Sequence, residues 1–437
     1  MKNALSIAVV LAAAVSLLPA DAACLDGDQA SGAVYRICMP ETAWNGDLIL
    51  YEHGYTSPLE AIELPGEFID LPASISVDKM FTGLGYAFAG SSYSTNGLAV
   101  QQGMADTLDL LQIFTATYGA PDHVYLLGIS MGGLVATLLG EQYPEQFDGV
   151  LCGCAPMGSF QNQINWFGDF RVIFDHFFPW LIPGPPTQVP RVVQDLWPLI
   201  YAAVIRPAVF DELNAGKLAD LAALTDARID PDRPEESLER TIQILLWYNV
   251  FSTNDARQKL GGQPFDNTDR SYDGIPNAFW FNGLVRRFSA DPGATAEIAT
   301  RYETTGAIEI PYVSLHTTLD PLVPYEQVGW YREKIARHGA LDRYYHIPTE
   351  RYGHCLFGLP EVVAGLGLVV RDVEGQEPSA RLVETALKSP LWGLSDRSAF
   401  RELAQEYGLT VPPEAPAPFP LLELLLSLLR RLLGNLL

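Results

Sequence analysis

The sequence predicts an α/β architecture: a mostly parallel β-sheet flanked by helices, broken by one large, mainly helical insertion. Three observations carry this. Short β-rich runs alternate with stretches of helical periodicity. Residues 48–51 and 124–127 are apolar throughout, the mark of buried strands. The alternation stops near residue 158 and resumes after residue 303.

The elements read as follows. Residues 48–51, Leu-Ile-Leu-Tyr, form the first clear central strand, and residues 86–90 the next. Over residues 104–118, Met104, Leu108, Leu111 and Phe114 fall at helical spacing, and Pro121 ends that helix. Residues 124–127 are a strand. Residues 131–142 are a helix whose Gly132, Gly133 and Ala136 allow close packing on the sheet. Residues 149–152 are a further strand. The insertion opens with a dense run of aromatics from Phe160 to Trp180 and contains the turn Pro183-Gly184-Pro185-Pro186. It is longer than any structureless loop should be. Its aromatics either build the insertion's own core or face the site; Trp166 and Phe167 are the candidates for touching substrate. Afterwards come a strand at 312–316, a helix at 325–338 and a strand at 344–347, and the core closes near residue 407.

The two ends differ from the body. Lys2, an apolar run over residues 5–18 and Ala20-Asp21-Ala22 read as a signal peptide. Asp21 disfavours a lipoprotein signal ending at Cys24. The expectation is cleavage near Ala22 and a secreted or periplasmic protein. Residues 412–420 are proline-rich, and residues 421–437 are mostly leucine, with Glu423, Ser427, Arg430, Arg431 and Gly434 on one stripe. This predicts an amphipathic helix that docks on its own domain, on a partner or peripherally at a lipid interface. The expected division is therefore a signal peptide over 1–22, a first core part over 23–157, a lid over 158–303, a second core part over 304–408, and a linker with its helix over 409–437.

Composition narrows the function classes. At 437 residues and 48% apolar, the chain can bury one large core. Its net charge of −24 opposes binding to nucleic acid or anionic membranes. The sequence shows no metal-ligand cluster, phosphate-binding glycine loop or basic stripe, so neither metal nor cofactor is expected. Five cysteines are present, so at least one is unpaired within the chain. Cys24 and Cys38 bracket a hairpin-like stretch and are expected to bond. Cys355 pairs with Cys154 or Cys152, or all three are small buried hydrophobes.

The chemistry lies in four short segments. Gly128-Ile129-Ser130-Met131-Gly132-Gly133 is a G-x-S-x-G motif between a strand and a helix. Such a tight turn lifts the Ser130 hydroxyl clear of the sheet, and the helix N-terminus leaves the Met131 N–H able to bind an oxyanion. Glu52-His53-Gly54-Tyr55 follows the first central strand, where the second oxyanion N–H is expected from Tyr55, with His53 structural. Asp320 follows the 312–316 strand and is held by Pro321. His354 lies in Arg351-Tyr352-Gly353-His354-Cys355, after the last strand. Tyr93 and Asn96, in the polar loop after residues 86–90, are candidates for lining the site.

Over residues 45–156 and 305–370 this sequence resembles the α/β-hydrolase superfamily. The order Ser130…Asp320…His354 is the order that fold uses. The resemblance implies a serine hydrolase in which Ser130 is nucleophile, His354 base and Asp320 the orienting acid. The elbow is more similar to those of esterases and acyltransferases than to those of peptidases. The expected activity is cleavage of a small or polymeric carboxylic ester, with a bulky or apolar substrate. A peptidase of the same superfamily, its Glu235-Glu236 pair holding an N-terminal amine, and a diketone C–C hydrolase are the alternatives.

Overall fold

Apolar pattern decides which segments become central strands and which face each side chain takes. The computed structural model describes residues 23–41, 43–64, 76–389 and 392–412; the expected signal segment and leucine-rich tail lie outside them. Eight strands form one sheet: β1 (Ala23–Asp28), β2 (Val34–Met39), β3 (Leu48–Glu52), β4 (Ala87–Ser91), β5 (Val124–Ile129), β6 (Gly149–Gly153), β7 (Tyr312–Leu319) and β8 (Tyr344–Tyr352). Their order is β1-β2-β4-β3-β5-β6-β7-β8. The pairs β1–β2 and β2–β4 are antiparallel; all the others are parallel.

Side chains alternate across this sheet. Leu48 and Leu50 of β3 join one core, with α2 (Val100–Tyr118) and α3 (Met131–Gln142). Ile49 and Tyr51 join the opposite core, with α1 (Val77–Gly83) and the helix Leu359–Glu374. Both faces are covered, which is why β5 and β6 are apolar at every position. This is the α/β-hydrolase fold that the sequence pattern predicts.

The structure departs from the predicted elements at several places. Helix α2 begins at Val100, four residues before the expected start, because Val100 and Gly103 are also buried on the sheet side. Helix α1 went unpredicted, since seven residues give too little periodicity to read. Strands β7 and β8 run past their apolar stretches into Thr317 and Thr349, and Leu319 still pairs with Tyr352 across a bulge. That extension carries the next residues of both strands out side by side.

Between β6 and β7 the described chain contains helices and loops but no strand. Helix α4 (Phe160–Phe177) packs on the helix Pro234–Lys259. Their core holds Phe170, Phe174, Phe178, Leu245, Leu246 and Val250. It also takes in Leu322 and Val323, from the loop after β7. Among the described residues, no helix is long and apolar enough to cross a membrane.

Two disulfides are present, Cys24–Cys38 and Cys154–Cys355, and Cys152 is free and buried. In a continuing strand Cys152 and Cys154 would share a face. Cys154 instead has φ 44, which turns it to the core that holds Cys355, whereas Cys152 packs toward Gly133 and Thr137. The first bridge joins directly opposed residues of β1 and β2, 14 apart in sequence. Closing a loop of that size stabilises the fold by about 3 kcal/mol in the chain-entropy model. Replacing both Cys24 and Cys38 by serine should lower the unfolding free energy by about that amount, read from equilibrium denaturant curves. An unchanged midpoint would mean the hairpin stays ordered without the bond.

Candidate active site

The end of β5 passes straight into α3, and Ser130 is the hinge. Its backbone is left-handed, with φ 55 and ψ −125. A residue with a side chain is strained there, so the surrounding packing must hold it. Gly128 and Gly132 allow the close packing that does. A Cβ on Gly128 would overlap the Gly132 carbonyl, and one on Gly132 would overlap the carbonyls of Glu52 and His53. The Ser130 N–H is anchored on Gly153 O at 2.8 Å, so the turn is also tied to β6.

The Ser130 hydroxyl opens a continuous hydrogen-bonded chain. Ser130 Oγ lies 2.8 Å from His354 Nε2, and His354 Nδ1 lies 2.7 Å from Asp320 Oδ2. Asp320 is fully buried. Its other oxygen, Oδ1, accepts the N–H groups of Leu322 at 2.8 Å and Val323 at 3.0 Å. Those bonds let a carboxylate survive without water. Behind it His316, also fully buried, places Nε2 3.0 Å from Val323 O, and burial lowers its pKa. The histidine loop is held twice. Thr317 Oγ1 donates to Gly353 O at 2.5 Å, and the Cys154–Cys355 disulfide ties the residue after His354 to the end of β6.

Tyr55 and Met131 both border the cavity in front of Ser130. Met131 is the first residue of α3, so its N–H has no acceptor within the helix. Gly54 comes close to Ser130: a Cβ there would stand 3.3 Å from the serine Cβ. Below this loop lies a buried polar cluster. Glu52 accepts the Tyr93 hydroxyl at 2.9 Å and the Thr107 hydroxyl at 2.7 Å. Burial pushes the Glu52 carboxyl up to about 7. His53 stacks on the Tyr93 ring at 3.9 Å, and burial drives its pKa down to about 4, so it is neutral at physiological pH.

The cavity in front of the serine is partly open to solvent. One wall is a face of α4: Phe160, Gln163, Ile164 and Phe167. A second is Tyr248, Ser252 and Ala256 of the helix Pro234–Lys259, and a third is Leu322 and Val323. Among the described residues, no Asp, Glu, Lys or Arg lines it. Of the four candidates for substrate contact, only Phe167 is on these walls. Tyr93 is fully buried and bonded to Glu52. Asn96 clips a neighbouring loop, donating to the Glu60 and Ala61 carbonyls at 3.0 Å each. Trp166 sits one residue off the lining face of α4. The 160, 163, 164, 167 spacing and the 248, 252, 256 spacing are single helical stripes, a signal present in the sequence but readable only once the helices are placed.

With strand order, elbow and hydrogen-bonded chain in view, the class is clear: the chain is an α/β-hydrolase superfamily protein. A family model described as "Serine aminopeptidase, S33" matches residues 90–205. The chain is 33% identical over 93 residues to a probable feruloyl esterase B-2 of Aspergillus terreus; the match covers 21% of this chain but only 15% of that protein. Among solved structures, an esterase from Aspergillus oryzae is 16% identical, with 76% of this chain and 72% of that one covered and a TM-score of 0.42. An acylaminoacyl peptidase from Pyrococcus horikoshii is 10% identical, covering 76% of this chain and 38% of that one, at TM-score 0.38.

Glu52 supplies a pH test of the buried cluster. Its folded pKa, about 7, lies above the ordinary 4.5, so the folded chain favours the protonated form. The stability it contributes is full below about pH 4.5 and is lost as pH rises to about 7. Glu52→Gln cannot ionise. Across that window its melting temperature should rise relative to wild type, and above it the difference should be constant. A pH-independent difference would show that Glu52 does not titrate in the fold.

Proposed function

We propose that this protein is an exported serine hydrolase that cleaves carboxylic esters through an acyl-enzyme. The observation that carries the reading is the unbroken chain from Ser130 through His354 to buried Asp320, opening on an apolar cavity. In this reading His354 takes the Ser130 proton as the hydroxyl attacks the ester carbonyl. Asp320 fixes the imidazole tautomer and stabilises the imidazolium. The N–H groups of Tyr55 and Met131 hold the oxyanion. His354 then protonates the leaving alcohol, and water, deprotonated by the same histidine, releases the acid.

The insertion acts as a lid, since α4 and the helix Pro234–Lys259 supply two of the cavity's walls. Export is supported by the two disulfides, which persist in oxidising compartments. The aminopeptidase alternative draws on the description of the matching family model. Against it stands the cavity itself: it offers no carboxylate to a free amine, and Glu235 and Glu236 are exposed in the first turn of their helix. A diketone substrate would use the same three residues.

Ser130→Ala should abolish labelling by a fluorophosphonate probe and lower kcat/KM toward p-nitrophenyl esters by about 10⁴-fold or more. Turnover that survives in a folded Ser130→Ala protein would overturn the mechanism. A second variant probes the histidine loop. Replacing both Cys154 and Cys355 by serine should depress kcat more than it raises KM, because the loss falls on His354 rather than on the cavity. Equal kcat in a folded double variant would show that hydrogen bonds alone hold the loop.

A further inference from the structure

The cavity against Ser130 is apolar except at a point the proposed mechanism does not use. Gln163, on α4, lines that cavity and is 4% exposed. Its Nε2 donates to Leu322 O at 2.9 Å, which fixes the way the carboxamide faces. Oε1 is left buried with no hydrogen-bond partner among the described residues. Two hydroxyls on the same walls are engaged elsewhere: Ser252 Oγ donates to Tyr248 O at 2.6 Å and Tyr55 Oη to Phe251 O at 3.4 Å. An acceptor buried without a donor costs roughly 1–3 kcal/mol. Gln163 borders the cavity, so an occupant that shifts its neighbours enough to reach Oε1 can remove that cost.

We propose that Gln163 Oε1 accepts a hydrogen bond from a hydroxyl on the acyl half of the substrate, so that the enzyme selects hydroxylated aryl-acyl esters. This rests on the ester-hydrolase reading. The acyl side follows from the lining: Ser130 and Met131 border the cavity and His354, which protonates the departing alcohol, does not. The aryl character follows from Phe160, Phe167 and Tyr248, the last two stacked with centroids 5.3 Å apart. The donor is a neutral hydroxyl for reasons of charge. Oε1 can only accept, so a methoxy or carbonyl oxygen would oppose it. An ammonium group would find no carboxylate on the walls.

The test is a panel of methyl esters of benzoic and phenylpropanoic acids, bare, hydroxylated at each ring position, and methoxylated. At least one hydroxylated ester should exceed its bare parent by roughly tenfold in kcat/KM, the methoxy esters should not, and Gln163→Met should bring the ratio to within about twofold. Using the ratio cancels any effect of the variant on the Asp320 loop through Leu322. Equal rates across the wild-type panel overturn the inference even if the variant does not fold, and so does a preference that survives Gln163→Met. Calorimetric binding of the free acids to Ser130→Ala separates the two readings. If no ester turns over but the hydroxylated acid binds more tightly and needs Gln163, the cavity inference stands and ester hydrolysis falls. If esters turn over without preference, hydrolysis stands and the Gln163 inference falls. If the esters are inert and the acids bind alike, both fall.

Discussion

Everything at this site depends on how closely the first turn of α3 approaches the end of β3. Gly132 rests on the carbonyls of Glu52 and His53 with no space for a methyl group. That contact holds Ser130 in a left-handed conformation that costs of order 1–3 kcal/mol for a residue with a side chain. It also makes the elbow and the Gly54–Tyr55 loop one body. The Glu52 carboxylate extends the same body to Tyr93 and Thr107, so the loop after β4 and helix α2 hold the turn from behind. The position of the serine hydroxyl is thus set by packed backbone rather than by a flexible side chain, which is what a fixed oxyanion geometry needs.

The acid and histidine are positioned by different physics. Extended pairing of β7 with β8 brings Asp320 and His354 to one end of the sheet. The carboxylate is then held by the Leu322 and Val323 N–H groups, and those same two side chains are packed into the core of the insertion. Gln327 adds a further link, its Oε1 accepting the Gly158 and Ser159 N–H groups at 2.8 and 2.7 Å. The insertion therefore does more than supply two of the cavity's walls. Its packing sets the loop that orients the acid, and a core mutation far out in the insertion should be felt at Asp320.

The parts legible in the sequence were those that local pattern determines. Apolar runs gave the central strands, the glycine spacing gave the elbow at Ser130, and turn-rich loops after strands marked Asp320 and His354. Other parts depend on tertiary contact. The polar ends of β7 and β8 read as loop because pairing, not hydrophobicity, keeps them extended. Tyr93 looked like a site residue because it follows a strand on the ligand-binding edge, but its left-handed backbone, φ 57, accompanies a ring turned inward onto His53. The choice of Cys154 over Cys152 rests on one backbone dihedral. The aromatics of α4 could not be sorted into core and cavity until their partner helix was known: Phe170 and Phe174 face the insertion's core, whereas Phe160 and Phe167 face the serine.

Charge placement gives the site a direction. The chain carries a net charge of −24, yet among the described residues no Asp, Glu, Lys or Arg lines the cavity. A neutral ester can enter such a space with no desolvation penalty for charge. On the proposed reading, hydrolysis creates a carboxylate where none of the described residues offers a cation, inside a molecule whose overall field repels anions. The lack of fixed charge that admits a neutral ester then weakens the hold on its acid.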